Sequence, residues 1–210
     1  MIITYQGVQS FKVQFGDTVL AFDPVSKESK HKAGSFGADI ALVSINHPDM
    51  NGVAQASRGD KEAFMIKGPG EYEVRGVFIK GVSSVSRYPF TDSSLAEAKI
   101  NTIYSVNLEG MNLCFLGALS DQNISPDTHE SLDGIDILFV PVDTLGAAVA
   151  YKFAVSLEPS IIIPMHYDDK SLKVFLKEGG DEGVKSIEKL TVKKKDLEGK
   201  EGEIIVLEAQ

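Results

Sequence analysis

The chain has 210 residues, 43% hydrophobic and 24% charged, with no long polar tract; this excludes a disordered or fibrous protein and suits one large α/β domain over residues 1–210. Thirty acidic residues against twenty-one basic ones leave a net charge of −9, which disfavours a nucleic-acid partner. A single cysteine, Cys114, cannot form an internal disulfide; neither a signal peptide nor an apolar run of ~20 residues is visible, so the expectation is a cytoplasmic protein with no membrane partner.

The first third is β-rich. I-I-T-Y, S-F-K-V-Q-F and T-V-L-A-F are short β-branched and aromatic runs punctuated by Gly7, Gly16 and Asp17, with F-G-D-T-V as a hairpin signal. After D-P-V at Asp23, the polar loop K-E-S-K-H-K-A-G-S-F-G carries an exposed His31. A strand over 40–44 then delivers the loop S-I-N-H-P-D-M-N-G at 44–52. E-A-F-M-I-K, G-P-G-E-Y-E-V and R-G-V-F-I-K-G-V continue the alternation of a sheet, and Pro69 and Gly70 suit the centre of a type II turn. Residues 86–99, S-R-Y-P-F-T-D-S-S-L-A-E-A-K, read as an irregular excursion able to cover or flank a site.

A second β series follows, I-N-T-I-Y-S-V-N-L and M-N-L-C-F-L-G, joined by a hairpin turn, with Cys114 as a small buried hydrophobe. His129 falls in a polar helical stretch with a surface role. The period then changes. D-I-L-F-V-P-V and S-I-I-I-P-M-H-Y are apolar throughout, as buried strands are, and between them lies an Ala-rich helix with Thr144 as a candidate N-cap. Together they predict a βαβ crossover. A further helix runs from about Asp169 to Gly179, the lysines of 191–196 are offset by the acidic residues that follow, and G-E-I-I-V-L makes a last strand.

Six pieces in order carry a resemblance: the loop at 44–52, G-P-G-E-Y-E at 68–73, N-T-I-Y at 101–104, F-L-G-A-L at 115–119, F-V-P-V at 139–142 and I-I-P-M-H-Y at 162–167. Together they are similar to the metallo-β-lactamase superfamily, in particular its ascorbate-6-phosphate-lactonase-like branch of zinc-dependent hydrolases, over residues 2 to about 207. The resemblance implies an α/β (α+β) fold, a four-layer αβ/βα sandwich with metals at one edge between two mixed sheets.

Active members of that family carry a loop of the form H-x-H-x-D-H, in which residues two apart on an extended strand end point the same way and the following turn serves a second metal. Here it reads I-N-H-P-D-M, so only His47 and Asp49 match and Ile45 and Met50 stand in place of histidines. The T-x-H-D histidine is missing, with Ser86 at its place in S-S-V-S-R. Ala118 stands where the bridging aspartate should be, with Asp121 three residues on, and His166 in P-M-H-Y is kept. The set that remains, His47, Asp49 and His166, reaches the usual three protein ligands of catalytic zinc only if all three converge on one ion.

Two functional expectations follow. The first is a non-catalytic binding or interaction protein that has lost most of its metal ligands, with no cofactor and an unidentified small molecule or protein as partner. The second is a hydrolase of a small ester, lactone or phosphorylated metabolite, with one zinc or other divalent metal on His47, Asp49 and His166 and Asp49 as the catalytic group, or with no metal at all. Ser44, Ser84, Ser86 and Ser120 lie near the expected rim, without a triad visible in the sequence. Structural roles remain open beside these: Asp49 as cap of a helix beginning near Asn51, and His166 as a hydrogen-bonding group across the cavity. Homo-oligomerisation is also left open.

Overall fold

The computed structural model describes residues 1–32, 34–57, 59, 61–89 and 97–210. Strands β1 (Ile2–Gly7), β2 (Ser10–Phe15) and β3 (Thr18–Phe22) form an antiparallel meander, and β4 (Ile40–Leu42) joins β3 in parallel. A one-turn helix α1 (Val53–Ala56) leads to β5 (Phe64–Ile66), parallel to β4. Next come β6 (Gly70–Val74), β7 (Val77–Ser86), β8 (Lys99–Leu108) and β9 (Met111–Phe115), which pair in that order as a second antiparallel meander. The β8–β9 turn is Glu109-Gly110, both at positive φ (56° and 68°), as a two-residue hairpin requires.

The C-terminal third comprises α2 (Pro126–Glu130), β10 (Ile137–Pro141), α3 (Val142–Leu145), α4 (Ala147–Ser156), β11 (Ile161–Met165), α5 (Asp169–Glu178), β12 (Leu190–Thr191) and β13 (Glu203–Ile204). β10 and β11 are parallel, so the expected crossover forms. Its helix is interrupted: Gly146 (φ 82°) separates α3 from α4, and Thr144 lies inside α3 with its hydroxyl donating to Leu119 O at 2.6 Å rather than capping a helix. α5 starts on Asp168, which accepts the Ser171 N–H, and stops at Gly179.

Two mixed sheets result, ordered β12-β1-β2-β3-β4-β5 and β13-β11-β10-β9-β8-β7-β6. Their inner faces meet in a core that includes Phe11, Phe22, Phe115 and Phe139, with ring centroids 4.7 Å apart for Phe11–Phe139 and 5.0 Å for Phe22–Phe115. Alternation along β10 explains its unbroken apolar sequence: Ile137 and Phe139 face this core, while Leu138 and Val140 face a second cluster with Ala150, Phe153, Phe175 and Leu176 of the helices. Over the six-stranded sheet the outer cover is thin. Ala21, Ala41 and Ala56 pack there with Phe36 and Val53, because alanines on the outer face let α1 and the chain before β4 lie close.

Gly70 begins β6 at φ 149° and is not the second central residue of a type II turn; the Tyr72 hydroxyl donates to Gly68 O and holds the bend. Cys114 is buried on β9, His31 and His129 are exposed, and Lys194 pairs with Asp136 at 2.7 Å. Among the described residues no helix is long and apolar enough to cross a membrane.

Candidate functional site

The loop after β4 is held from behind by the D-P-V segment. Asp23, fully buried and at φ 40°, accepts the Ser44 N–H (2.7 Å) and the Ser44 hydroxyl (2.5 Å). Ser26 N–H donates to Pro48 O, and Gly52 N–H to Pro24 O at 2.6 Å. A Cβ on Gly52 would fall 2.3 Å from Val25 O, so only glycine lets the two segments lie this close. Burial pushes the Asp23 pKa up to about 8, against the pull of its Ser44 hydrogen bonds.

The opposite wall is built from N-T-I-Y and F-L-G-A-L. Buried Asn101 donates to Ser84 Oγ and Leu116 O and accepts the Ala118 N–H, and Thr102 N–H donates to Ser44 O. Gly117 (φ 60°) rests against Ser44. These two motifs thus position the turn that carries Ala118.

His47 and Asp49 come together: the Asp49 N–H donates to His47 Nδ1 (3.2 Å), and Nδ1 lies 3.4 Å from Asp49 Oδ2. The Asp49 carboxylate does not cap α1, whose N-cap is Gly52 without a side-chain hydrogen bond. It accepts the Ser29 hydroxyl on Oδ1 and the Tyr88 hydroxyl on Oδ2, the latter at 2.5 Å. Burial works to raise the Asp49 pKa, but the Ser29 and Tyr88 hydrogen bonds and the imidazoles of His47 and His31 outweigh it and hold the carboxyl below the usual range.

His166 follows β11 at φ 51°, and its N–H donates to Val8 O at 2.6 Å. Its Nδ1 is 2.8 Å from Gln9 Nε2, while Gln9 Oε1 is buried without a hydrogen bond. Val8 (φ 55°), Asp23 and His166 are all non-glycine residues in the left-handed region around one edge of the sheets, strain that persists only where neighbours hold it. Desolvation first, then the charge of His31, drops the His166 pKa to about 4 despite Asp49. Desolvation also lowers His47, Asp49 opposing it and Lys99 adding to it. Both imidazoles are therefore neutral at pH 7.

Tyr88 joins these groups. Its ring packs edge-on against His47 and His166, with centroids 5.0 Å from each and interplanar angles of 83° and 67°. The positions where ligands are expected but absent converge on it. Ile45, Met50 and Ala118 form one buried apolar cluster against which Tyr88 and Val8 pack, and the buried Ser86 accepts the Tyr88 N–H through Oγ at 3.1 Å. Tyr88 lies in the excursion read at 86–99, of which residues 90–96 fall outside the described residues. Sequence reasoning missed Tyr88, Ser29 and Gln9; the signal available was an aromatic residue two positions after Ser86.

Asp121 does not reach back toward Ala118, since its Oδ1 accepts from Asn123 N and Nδ2, both at 2.9 Å. The four rim serines are engaged elsewhere: Ser44 with Asp23, Ser84 with Asn101, Ser86 with Tyr88 N–H and Ser120 with Arg87 N–H.

A zinc ion needs about three protein lone pairs at roughly 2.0–2.2 Å. Here both Asp49 oxygens accept hydrogen bonds, His47 Nδ1 accepts the Asp49 N–H, and the Tyr88 ring lies against both imidazoles. Among the described residues, no group of three or more His, Cys, Asp or Glu side chains is placed to hold a metal ion. The donor set in this arrangement does not fit a cation.

Solved structures with this architecture include a proposed zinc-dependent hydrolase of the metallo-β-lactamase superfamily from Thermotoga maritima, 28% identical, with TM-score 0.76 over 100% of this chain and 99% of that one. A proposed metal-dependent hydrolase from Parabacteroides distasonis is 20% identical, with TM-score 0.65 over 99% and 93%. A metallo-β-lactamase fold protein from Bacillus subtilis is 11% identical, with TM-score 0.59 over 99% and 96%. No curated protein matches the chain. The family model described as "Beta-lactamase superfamily domain" matches residues 2–166, the strands and loops that build both walls of this edge, and the chain belongs to that family.

Proposed function

We propose that this protein is a non-catalytic member of its superfamily, a binding or interaction module whose former metal edge has become a packed structural joint. The observation that carries the reading is the saturation of Asp49 by Ser29 and Tyr88, with Ile45, Met50 and Ala118 forming an apolar floor. A full ligand set crowded there without a cation would leave carboxylates repelling one another and polar groups desolvated; apolar replacements remove that cost. The partner is a small molecule or a protein, and the finer placement in the ascorbate-6-phosphate-lactonase-like branch rests on the six sequence motifs.

The competing reading is a hydrolase on His47, Asp49 and His166, favoured by the closeness of His47 to Asp49. Its weakness is chemical. Because His47 Nδ1 accepts the Asp49 N–H, the proton of the neutral ring sits on Nε2, and no lone pair is left to take a proton from water.

Metal analysis of protein purified without chelator tests the reading. The expected result is substoichiometric metal and a Tm unchanged by EDTA. One tightly held equivalent, lost on His166→Ala, would establish the hydrolase instead.

A further inference from the structure

Two of the relatives named above are described as zinc- or metal-dependent, whereas the donors present here do not fit a cation; beside the replaced ligand positions, one side chain occupies the space between the donors that remain. We infer that Tyr88 replaces the metal: its phenol fills the space bordered by His47, Asp49 and His166, and its removal opens a site for a single divalent cation. The inference rests on the reading of this edge as metal-free.

A cation tying together this edge of the sheets would have to touch a donor from the loop after β4 and one from the end of β11. Tyr88 makes both connections itself. Its hydroxyl donates to Asp49 Oδ2 at 2.5 Å, its ring meets the imidazole of His47 on the first side and that of His166 on the second, and its N–H is fixed by Ser86. A hydroxyl proton delivered to a carboxylate gives Asp49 the electrostatic partner that a cation would give it, at less charge. The same contact, after burial of the phenol, pushes the Tyr88 pKa up, so the tyrosine keeps its proton and remains a donor. Its backbone is anchored from another side, because Lys99 Nζ donates to Tyr88 O at 3.1 Å.

The surrounding residues suit a ring and not an ion. Ile45, Met50 and Ala118 offer the phenol an apolar seat and offer a metal nothing. The three surviving donors are nevertheless of the right kind, two imidazoles and a carboxylate, the complement that zinc takes with an open fourth position, once His47 exchanges its Nδ1 contact with the Asp49 N–H for the metal. His166 Nδ1 meets the Gln9 amide, whose Oε1 is left without a partner; with that amide turned over, Oε1 accepts the Nδ1–H and leaves Nε2 free to ligate, the outer contact that fixes a ligand ring. Without the phenol, Asp49 Oδ2 loses its donor and the volume beside both rings becomes free.

The test compares the wild-type protein with Tyr88→Ala and Tyr88→Ser, titrated with zinc chloride and followed by calorimetry and by Tm. Tyr88→Ser removes the ring without adding an imidazole or carboxylate and keeps a small polar group at the opening, which guards against loss of the fold in the alanine variant. The expected result is no binding by wild type, about one equivalent of zinc bound by the variants, and a zinc-dependent rise in Tm on the order of 5 °C at about a hundredfold excess over Kd. Adding His166→Ala should abolish both effects. If neither variant binds zinc while both fold, the three donors do not converge and the inference fails, leaving the metal-free reading intact. If wild type binds as tightly as the variants, the phenol excludes nothing, and that reading falls as well.

Discussion

The hydroxyl of Tyr88 meets Oδ2 of Asp49 at 2.5 Å, joining the end of β7 to the loop after β4 across the edge where both sheets open. A buried carboxylate whose second oxygen is taken by Ser29 depends on this donor for its charge balance.

Tyr88→Phe should therefore be destabilising although the ring contacts remain. Removing a donor from a buried charged acceptor costs about 1.5–3 kcal/mol. The measurement is urea unfolding at pH 7, accompanied by an upward shift of the Asp49 carboxyl pKa followed by NMR. An unchanged unfolding midpoint would mean that water replaces the hydroxyl freely.

Acid should weaken the fold through His166. Its folded pKa of about 4 lies below the ordinary 6.5, so between those values the unfolded chain binds more protons. This contribution is complete above pH 6.5 and is lost as the pH falls toward 4, with a slope of up to about 1.4 kcal/mol per pH unit, one proton's worth. His166→Asn should flatten that window, and asparagine tolerates the left-handed backbone at this position. The readout is the urea midpoint at pH 7 and pH 4.5 for both proteins.

Asp23 should act in the opposite sense. Its folded pKa of about 8 lies above the usual 3.8, so the folded state holds the extra proton. Its contribution is full below about pH 4 and disappears as the pH rises through 8. Between pH 6.5 and 8, of these two groups only Asp23 still changes, and wild-type stability should decline there. Asp23→Asn, which can still accept the Ser44 N–H and donate to Ser44 Oγ, should remove the decline and be the more stable protein at pH 8. Parallel pH slopes for the two proteins would show that Asp23 is ionised in the fold.

Gly117→Ala should be among the most damaging small changes. The new Cβ would lie 2.4 Å from Ser44 Cβ and 2.6 Å from Asn101 Oδ1, at φ 60°. Backbone strain alone costs roughly 1–3 kcal/mol, and the clash adds to it by prising apart the two walls of the site. Thermal unfolding is the measure, and a fall in Tm of under about 2 °C would contradict the close approach.

Much of the fold was legible because its patterns are local. The alternation in S-F-K-V-Q-F, the unbroken apolar run of β10 and the Asp168 to Gly179 punctuation of α5 each reflect a period or a cap that neighbouring residues set among themselves. Local reading failed at Thr144, whose hydroxyl turned to a carbonyl from the 115–119 turn, and at Asp49, whose helix-capping role was taken away by two hydroxyls distant in the chain. In both cases a tertiary partner outbid the local one.

The amino-acid sequence by itself determined the strand and helix patterns and the chemical identity of the residues at the expected ligand positions. Only the folded chain decided that Tyr88, from a stretch with no periodicity, would settle against His47, Asp49 and His166. The reason is distance along the chain: Tyr88 lies 39 residues from Asp49. No local rule encodes that contact, and it exists only once β7, β4 and β11 have packed to bring their ends to one edge.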